Sequence, residues 1–597
     1  MKTQIVERLS ALRKVMKEHN ISAYIIPTTD PHMSEYPGAC WKYRVWISGF
    51  TGSAGTVVVT LDKAGLWTDS RYFLQAEDQL AGTGIDLYKL KIEGTPSITD
   101  FLLSELSAGD TVGLNGETYS AEEADALEVQ LKRKHISLNS EAALIDAIWT
   151  DRPAIPEDMV FDMPIEFSGK STEDKLTDIN MMLHKAGADC TILSALDEVA
   201  WTCNFRGTDV TCNPVAIAYM FVSQEENVLF INPKKVPAEI AERLKKDGVV
   251  LADYSRICHY LSKLPETTTV YLDTAHTNKA ICNALPKAVT IIKGISPANT
   301  LKSIKNPTER KGYRNAVLKD GIALTKFFYW LEQEMAAGNK VTELSASKKL
   351  TAFRAEQPLY IMDSFETISS YGPHGAVVHY AVSSTPEQDA QLKPDNLYLL
   401  DSGGQYLDGT TDVTRTIALC KPTEQMKRDF TLALKGTIDM AKCKFPVGMR
   451  GSQLDILARK PMWDAGINYL HGTCHGIGHC LNVHEGPQSI RMEENPVVIE
   501  AGMVMSDEPA LYRTGQYGIR TENMIEVVED CETEYGKFLR METLTLCYID
   551  TTLVQVSMLS AREHAWLNKY HQEVYEKLSP YLTEEEKAWL KKKTEEI

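Results

Sequence analysis

The sequence predicts a multidomain protein that combines α/β domains with an α+β domain. Its 597 residues exceed what one hydrophobic core can serve, so two to four domains are expected. One order of helices and strands occurs twice in the first half of the chain, and a strand-rich pattern follows. Within the strand-rich part, acidic residues and a histidine-rich segment lie beside Gly-containing turns. These observations together predict the fold class.

The first α/β unit covers roughly the first 150 residues, a typical domain length. An amphipathic helix (RLSALRKVMKEH) leads to an apolar strand (AYIIP), and a Gly-rich turn then leads to VVVTL. The strand GLWTD precedes the helix of RYFLQAEDQL. The following segment, DRPAIPEDMVFDMPIEFSGKS, is rich in proline and acidic residues, which predicts a linker.

The second unit repeats this order. A helix (TEDKLTDINMMLHKAG) leads to the strand CTILSAL, then to AIAYMFV and NVLFINP, and then to the helix PAEIAERLKKDG. The shared order suggests a duplicated domain, although two α/β units can share an order by chance.

The third unit begins near Lys305 with a long helix, PTERKGYRNAVLKDGIALTKFFYWLEQEMA. Strands are predicted in GAVVHYAV, NLYLLDSGGQYL, TTDVTRTIAL, GMVMSDEPALY and NMIEVVED, and a helix in GSQLDILARKPMWDAG. Two helices, AREHAWLNKYHQEVYEKLSP and TEEEKAWLKKK, close the chain. Ser579-Pro580 and the Thr583-x-x-Glu586 pattern are stop and start signals between them.

Composition and charge exclude several classes of protein. The chain is 43% hydrophobic and 24% charged, as expected of a globular protein. Its net charge of -18 argues against binding to nucleic acid or to an anionic membrane. The N-terminal residues contain no apolar signal core, and no apolar run approaches a membrane span. The 12 cysteines form no CxxC pair, so we expect free thiols and a cytoplasmic location.

The candidate site consists of four carboxylates and one histidine: Asp401, Asp412, His475, Glu508 and Glu522. Each lies beside strand-like neighbours in a Gly-punctuated segment. Four acidic groups that converge would repel one another strongly unless cations neutralise them. The set therefore predicts a dinuclear metal site and metal-assisted hydrolysis.

Turn chemistry and surface exposure are the alternatives for the acidic residues. Asp401 and Asp412 lie eleven residues apart, which places both on neighbouring strands of a hairpin, but an Asp before Gly also caps turns. Glu508 and Glu522 could be surface carboxylates. Against that, Glu508 directly follows a predicted buried strand, where a charge needs a partner.

A zinc site is the alternative for the segment HGTCHGIGHCLNVH. It would use Cys474, Cys480 and two histidines, but the CxxC pairs typical of such sites are missing. For His471, His479 and His484, taken singly, a structural role is the default. One histidine with four carboxylates is an oxygen-rich set that suits Mn(II) or another hard divalent ion. Such ligands can bridge two ions about 3.5 Å apart, with a hydroxide between them as nucleophile.

The ordered set Asp, Asp, His, Glu, Glu resembles that of the pita-bread metallopeptidases, which include methionine aminopeptidase, prolidase, aminopeptidase P and the metal-free creatinase. The motifs HYAV, DSGGQYLDGTTDVTRT, HGTCHGIGHCLNVHEGP and DEPALYRTGQYGIRTEN are similar to those of the long, three-domain aminopeptidases P. WISGFTGSAGTVVVTLDKAGLWTDSRYFLQAE and AWLNKYHQEV extend the similarity to both ends of the chain. The resemblance implies two creatinase-N-like α/β domains, at 1–153 and 154–305, followed by a pita-bread catalytic domain at 306–597.

The same resemblance implies roles for the five ligands. Asp401 would chelate one metal ion, and Asp412 and Glu522 would bridge both ions. His475 and Glu508 would complete the second metal, and Glu508 would also handle the proton of the bridging water. Two divalent ions are expected in each chain, with Mn(II) favoured and Co(II) or Zn(II) as alternatives.

Four further residues are implied outside the metals. His379, His471 and His484 would bind the scissile carbonyl and the substrate backbone, with His379 and His484 taking part in catalysis, and Arg520 would support them. His374 and His479 receive no role. The chain departs from many relatives at Ala510 and Cys474, which neighbour ligands without replacing one.

The implied activity is that of an Xaa-Pro aminopeptidase, which removes the first residue from peptides with proline in second position. The expected partners are such peptides and a second copy of the chain, with no nucleic acid and no membrane. A prolidase, which cleaves only Xaa-Pro dipeptides, is the nearest alternative. A non-enzymatic pita-bread binding protein is the alternative from another class, but such a protein is expected to lose ligands.

Overall fold

A computed structural model describes residues 2–383, 385, 386 and 388–597 of the chain. They form two compact units, one from residues up to Met163 with Lys170–Leu301, the other from Pro164–Gly169 with Lys302–Ile597. No helix in these described ranges combines the length and hydrophobicity that a membrane span requires. The predicted boundaries at 153 and 305 stay a prediction.

The first unit begins with a six-stranded sheet of order β4-β3-β2-β1-β5-β6. Its strands are β1 (Ala23–Ile26), β2 (Thr56–Thr60), β3 (Ala64–Thr68), β4 (Asp86–Lys89), β5 (Thr111–Leu114) and β6 (Ser137–Asn139). Its helices are α1 (Lys2–Glu18), α2 (Tyr43–Ser48), α3 (Phe73–Leu80), α4 (Ile98–Glu105) and α5 (Ala121–Lys132). Alternate residues of β1 enter two hydrophobic clusters, with Tyr24 and Ile26 in one and Ala23 and Ile25 in the other. The sheet is therefore buried on both faces, as in α/β domains.

A second six-stranded sheet in the same unit repeats this topology, with the order β12-β11-β10-β8-β13-β14. Strand for strand, the parallel and antiparallel pairings equal those of the first sheet. The predicted duplication is therefore confirmed. This part contains β7 (Phe161–Asp162), β8 (Cys190–Leu193), β9 (Phe205–Arg206), β10 (Ala218–Ser223), β11 (Asn227–Ile231), β12 (Val249–Ala252), β13 (Thr269–Leu272), β14 (Thr290–Lys293), α6 (Ile165–Ser168, counted in the other unit), α7 (Thr172–Ala186), α8 (Leu196–Thr202), α9 (Ala238–Lys246), α10 (Ile257–Leu261), α11 (Lys279–Ala284) and α12 (Pro297–Ser303).

The second unit is strand-rich and is enclosed by long helices. Its strands are β15 (Tyr360–Asp363), β16 (Ile368–Tyr371), β17 (Leu397–Ser402), β18 (Gly404–Tyr406), β19 (Gly409–Thr410), β20 (Val413–Ala418), β21 (Lys444–Pro446), β22 (Cys474–Gly476), β23 (Glu485–Ile490), β24 (Val504–Asp507), β25 (Ala510–Arg513), β26 (Tyr517–Arg520), β27 (Asn523–Thr533) and β28 (Gly536–Thr543). Its long helices are α13 (Pro307–Ala336), α14 (Glu343–Ala355), α15 (Glu424–Ala441), α16 (Gly451–Trp463), α17 (Ala561–Leu578) and α18 (Glu584–Lys593).

Two sheets of this unit provide the scaffold for the candidate site. One has the order β16-β17-β20, and the other has the order β21-β28-β27-β24-β22-β23. Helix α13 begins at a capping box, in which the Asn306 and Glu309 side chains each bond the other residue's backbone N–H, and Pro307 occupies the first turn. The predicted start of the last helix is confirmed in the same way, because Thr583 and Glu586 form a capping box.

The strand predicted in GAVVHYAV is wrong. Gly372–Ala376 forms a 3-10 turn, and the segment that continues to Ser383 is irregular. The turn packs against β26 so closely that a β-carbon on Gly375 would lie 2.8 Å from the backbone nitrogen of Gly518. This backbone contact, which needs glycine on both sides, replaces strand pairing.

Candidate metal centre

The register of β17 and β20 places the two aspartates on neighbouring strands, as the spacing predicted. Asp401 lies opposite Thr414, and Ser402 lies opposite Val413. Asp412 immediately precedes β20. Both carboxylates are buried, so neither is a surface residue.

The larger sheet contributes His475 and Glu508. His475 is the central residue of β22, which pairs with β24, and Glu508 follows the last residue of β24. The backbone N–H of Glu508 donates to the Thr473 carbonyl at 2.9 Å, and the N–H of His475 donates to Ser506 Oγ at 3.0 Å. These bonds fix the histidine and the glutamate relative to each other.

Glu522 joins the two sheets. It lies between β26 and β27, and its backbone N–H donates to the Thr414 carbonyl at 3.1 Å. The Thr414 hydroxyl donates to Glu522 Oε2 at 2.6 Å. One residue of β20 therefore holds both the backbone and the carboxylate of Glu522.

The ligand atoms of Asp412, His475 and Glu522 all lie within 4.8 Å of one another. They are the one group of three or more His, Cys, Asp or Glu with this geometry in the described ranges. His475 Nε2 lies 3.4 Å from Asp412 Oδ2 and 3.6 Å from Glu508 Oε1. Asp401 lies outside the group of three and contacts the Arg520 guanidinium through Oδ2. All five predicted ligands thus converge, around a core of three.

The carboxylates of this site are poorly compatible with full ionisation. Burial raises the pKa of Glu522 well above its ordinary value, and the charges of Asp412, Asp401 and Glu508 raise it further. Burial also raises the pKa of Glu508 and of Asp401, although the Arg520 charge opposes both shifts. A cation in the site would relieve this repulsion.

His475 responds to the same charges in the opposite direction. Burial lowers the pKa of its imidazole, but the hydrogen bond to Asp412 and the charges of Glu508 and Asp412 outweigh burial and raise the pKa to about 9. Nδ1 lies 2.9 Å from the Gly476 carbonyl oxygen, so Nε2 faces the carboxylates. A neutral His475 can bind a metal through Nε2 while Nδ1 donates to the carbonyl.

The donor set fits two divalent ions. Asp401 Oδ1 is buried and has no hydrogen-bond partner among the described residues, which is costly unless a ligand occupies that side. Four carboxylates and one imidazole match the preference of hard divalent cations for oxygen. The alternative zinc site is not formed, because no group that contains Cys474 or Cys480 meets the ligand geometry in the part of the chain described.

The four predicted substrate-binding residues, three histidines and Arg520, lie around the ligands. The rings of His484 and His475 are 4.5 Å apart, and the rings of His379 and His484 are 6.2 Å apart. His471 Nε2 lies 3.0 Å from the Tyr512 hydroxyl. Arg520 is buried and donates from Nη1 to Tyr512 at 2.7 Å and from Nε to Thr414 Oγ1 at 3.0 Å.

The residues without a predicted role, His479, His374 and Cys474, have other surroundings. His479 is buried with its ring edge-on to Tyr313 at 5.4 Å. His374 hydrogen-bonds the buried Glu343 at 2.9 Å. The Cys474 thiol is buried in an apolar cluster, and burial raises its pKa.

Sequence reasoning missed the residues that orient the site. Thr414 connects Glu522 to Arg520, Ser506 connects His475 to Glu508 (3.4 Å), and Tyr512 connects His471 to Arg520. Each is a hydroxyl residue within four positions of a predicted ligand in the sequence. That proximity is the signal that could have identified them.

Comparison with known protein families identifies four regions. Residues 8–148 and 151–309 each match a creatinase/prolidase N-terminal domain, residues 311–529 match metallopeptidase family M24, and residues 537–597 match the C-terminal region of peptidase M24.

Among known proteins, a probable Xaa-Pro aminopeptidase P of Laccaria bicolor is 40% identical, over 98% of this chain and 92% of the relative. Aminopeptidase P2 of Arabidopsis thaliana is 39% identical, over 97% of this chain and 87% of the relative. The crystal structure of X-prolyl aminopeptidase from Caenorhabditis elegans, described as a cytosolic enzyme with a di-nuclear active site, superposes with a TM-score of 0.96. It is 34% identical and covers 99% of this chain and 100% of that one.

Proposed function

This chain belongs to metallopeptidase family M24, within the long aminopeptidases P, and on that premise we propose that it is an Xaa-Pro aminopeptidase. It would hydrolyse the bond after the first residue of peptides that have proline in second position. The observation that supports this most is the convergence of Asp412, His475 and Glu522, with Asp401 and Glu508 beside them.

The proposed metal ligands are Asp401, Asp412, His475, Glu508 and Glu522. When bound, two divalent ions, with Mn(II) favoured over Co(II) or Zn(II), supply Lewis-acid polarisation of the scissile carbonyl and an activated water as nucleophile. Because burial raises the pKa of the Glu508 carboxyl, this side chain can accept the proton of the attacking water and pass it to the leaving nitrogen.

The histidines around the ligands would bind the substrate. His484 neighbours both His379 and His475, and His471 reaches the Arg520 guanidinium through Tyr512. Imidazole N–H groups in these positions can donate to the oxygen on which charge develops in the transition state. Arg520 contacts Asp401 and would support this group of substrate-binding residues.

Selectivity for proline follows from the chemistry of its amide. The nitrogen of the scissile bond has no hydrogen when proline follows, so an apolar wall can pack against the ring without leaving a donor unsatisfied. A peptide with alanine in that position buries less area and leaves an N–H without a partner. Together these effects cost about 2–4 kcal/mol, or about 30- to 1,000-fold in kcat/KM.

The experiment compares kcat/KM for Xaa-Pro-Xaa and Xaa-Ala-Xaa peptides with the same flanking residues, before and after chelation and after Mn(II) is restored. We expect a strong preference for proline. We expect chelation to abolish the activity and Mn(II) to restore it. Comparable values for the two peptides would refute the proposed specificity. Cleavage of Xaa-Pro dipeptides but not of tripeptides would favour a prolidase.

We also propose that the enzyme is a cytosolic homodimer. The relative from C. elegans is described as cytosolic. In support of a dimer, α16 and the loop after it expose large apolar side chains: Ile456 (49%), Trp463 (42%) and Leu470 (50%). The mass in solution should be that of two chains, and Ile456→Glu should reduce it to one. A wild-type mass of one chain would contradict the dimer.

A further inference from the structure

We propose that Arg415 and Tyr570 are positioning residues for Glu522, so that the C-terminal helix α17 is part of the scaffold of the metal centre. The inference rests on the proposed function of Glu522 as a metal ligand. Arg415 lies within the peptidase match at residues 311–529, whereas Tyr570 lies in the C-terminal region matched at residues 537–597.

The guanidinium of Arg415 is buried and is surrounded by acceptors. Nη1 donates to the carbonyl oxygens of Glu522 at 2.6 Å and Thr414 at 2.9 Å. Thr414 is also the residue whose hydroxyl donates to the Glu522 carboxylate. Arg415 thus holds the main chain of Glu522, while the Thr414 hydroxyl holds its side chain.

The other nitrogens of Arg415 face the C-terminal segment. Nε donates to the Tyr548 carbonyl at 2.9 Å, and Nη2 lies 2.9 Å from the Cys547 carbonyl oxygen and 2.8 Å from the Tyr570 hydroxyl. Asn523 Oδ1 also lies 2.9 Å from Nη2. No carboxylate forms an ion pair with Arg415 in the described ranges, so neutral oxygens stabilise the buried cation.

Tyr570 completes this arrangement from α17. Its hydroxyl accepts from Arg415 and from the backbone N–H of Cys547 (3.3 Å), and it can donate to the carbonyls of Cys547 (2.8 Å) or Thr545 (3.1 Å). Its ring stacks on Trp566 at 5.2 Å. The hydroxyl therefore fixes both the arginine and the chain segment that surrounds it.

The consequence reaches the metal centre through Glu522. If the hydroxyl is removed, the Arg415 fork loses one acceptor and the Cys547 N–H loses another, so both can shift. A shift of the Glu522 carbonyl would move a carboxylate that is proposed to bind metal, and groups that orient ligands typically contribute about 10- to 100-fold in metal affinity. A purely structural role would lower stability and leave metal affinity unchanged.

The experiment uses Tyr570→Phe in the full-length chain, with Tyr575→Phe as the control, because Tyr575 lies on the same helix and packs against the same core. Mn(II) dissociation constants are measured by titration calorimetry, and the thermal midpoint of the metal-free protein is measured separately. We expect Tyr570→Phe to raise the Mn(II) dissociation constant about 10- to 100-fold. The control should leave it unchanged, and kcat should recover at saturating Mn(II).

A second variant tests the role of Arg415. Arg415→Lys keeps the charge but removes the fork, so its metal affinity should fall at least as far as that of Tyr570→Phe. If Arg415→Lys fails to fold, Tyr570→Phe decides the question alone. Unchanged Mn(II) affinity in Tyr570→Phe, with or without a lower thermal midpoint, overturns the inference. Wild-type protein that binds no divalent ion would instead contradict the proposed function.

Discussion

Loading the metal centre at about pH 7 should release at least one proton, because His475 holds a proton before any ion binds. The pKa of its imidazole is raised to about 9. A metal binds neutral imidazole, so this proton must leave. A pH of about 7 lies about two units below this pKa, so removing the proton costs about 2.7 kcal/mol. This cost lowers the apparent metal affinity about 100-fold.

The affinity should therefore rise about tenfold for each pH unit between about pH 7 and pH 9. The number of protons that His475 releases when metal binds should fall from nearly one at about pH 7 to one half at about pH 9, the raised pKa. Burial raises the pKa of Glu508 and of Glu522, so any proton that these carboxyl groups hold would add to the release. Titration calorimetry in two buffers of different ionisation enthalpy counts the protons.

The pH dependence of stability provides an independent check that the pKa of His475 is raised. The pKa of His475 is raised above its ordinary value of 6.5, so its contribution to stability is complete below 6.5 and is lost as the pH rises through about 9. Metal-free protein should lose stability over this interval, and metal-loaded protein should lose less. Release of less than half a proton at about pH 7 would refute the reasoning, because His475 would then be neutral before the ion binds.

Three substitutions test individual roles. Asp412→Ala removes a proposed bridge, so elemental analysis should find less of both ions bound. A variant with two bound ions and normal activity would contradict the assignment. His379→Ala should lower kcat about 10²- to 10³-fold with normal metal content, whereas loss of metal would make it a ligand or a structural residue. Tyr512→Phe removes the hydroxyl between His471 and Arg520 and should lower kcat about 10- to 100-fold, with metal content retained. Unchanged kcat and KM in that variant would place the hydroxyl outside the reaction.

The sequence by itself predicted several of the helices, a part of the strands and the candidate ligands, whereas the helices α14 and α15 had no predicted counterpart. Helix α13 begins at the Asn306, Pro307 and Glu309 signals, which are local in the chain. The candidate ligands could be predicted because carboxylates next to buried strands need a partner, whatever the rest of the fold. The duplicated domain was also visible as a repeated order of elements, and the two sheets share one topology.

Only the tertiary structure decided how these residues meet. The register that places Asp401 opposite Thr414 brings Thr414 to Glu522, 108 residues away. The contact between Arg415 and Tyr570 spans 155 residues, and no local pattern encodes it.

The wrong strand at GAVVHYAV has the same cause. Its alternating apolar residues satisfy the strand pattern, but the approach of Gly375 to Gly518 and the hydrogen bond from Tyr380 to Glu343 fix an irregular path. Local periodicity reports which side chains prefer burial. Which backbone they pair with depends on contacts between distant segments, and these form only in the folded chain.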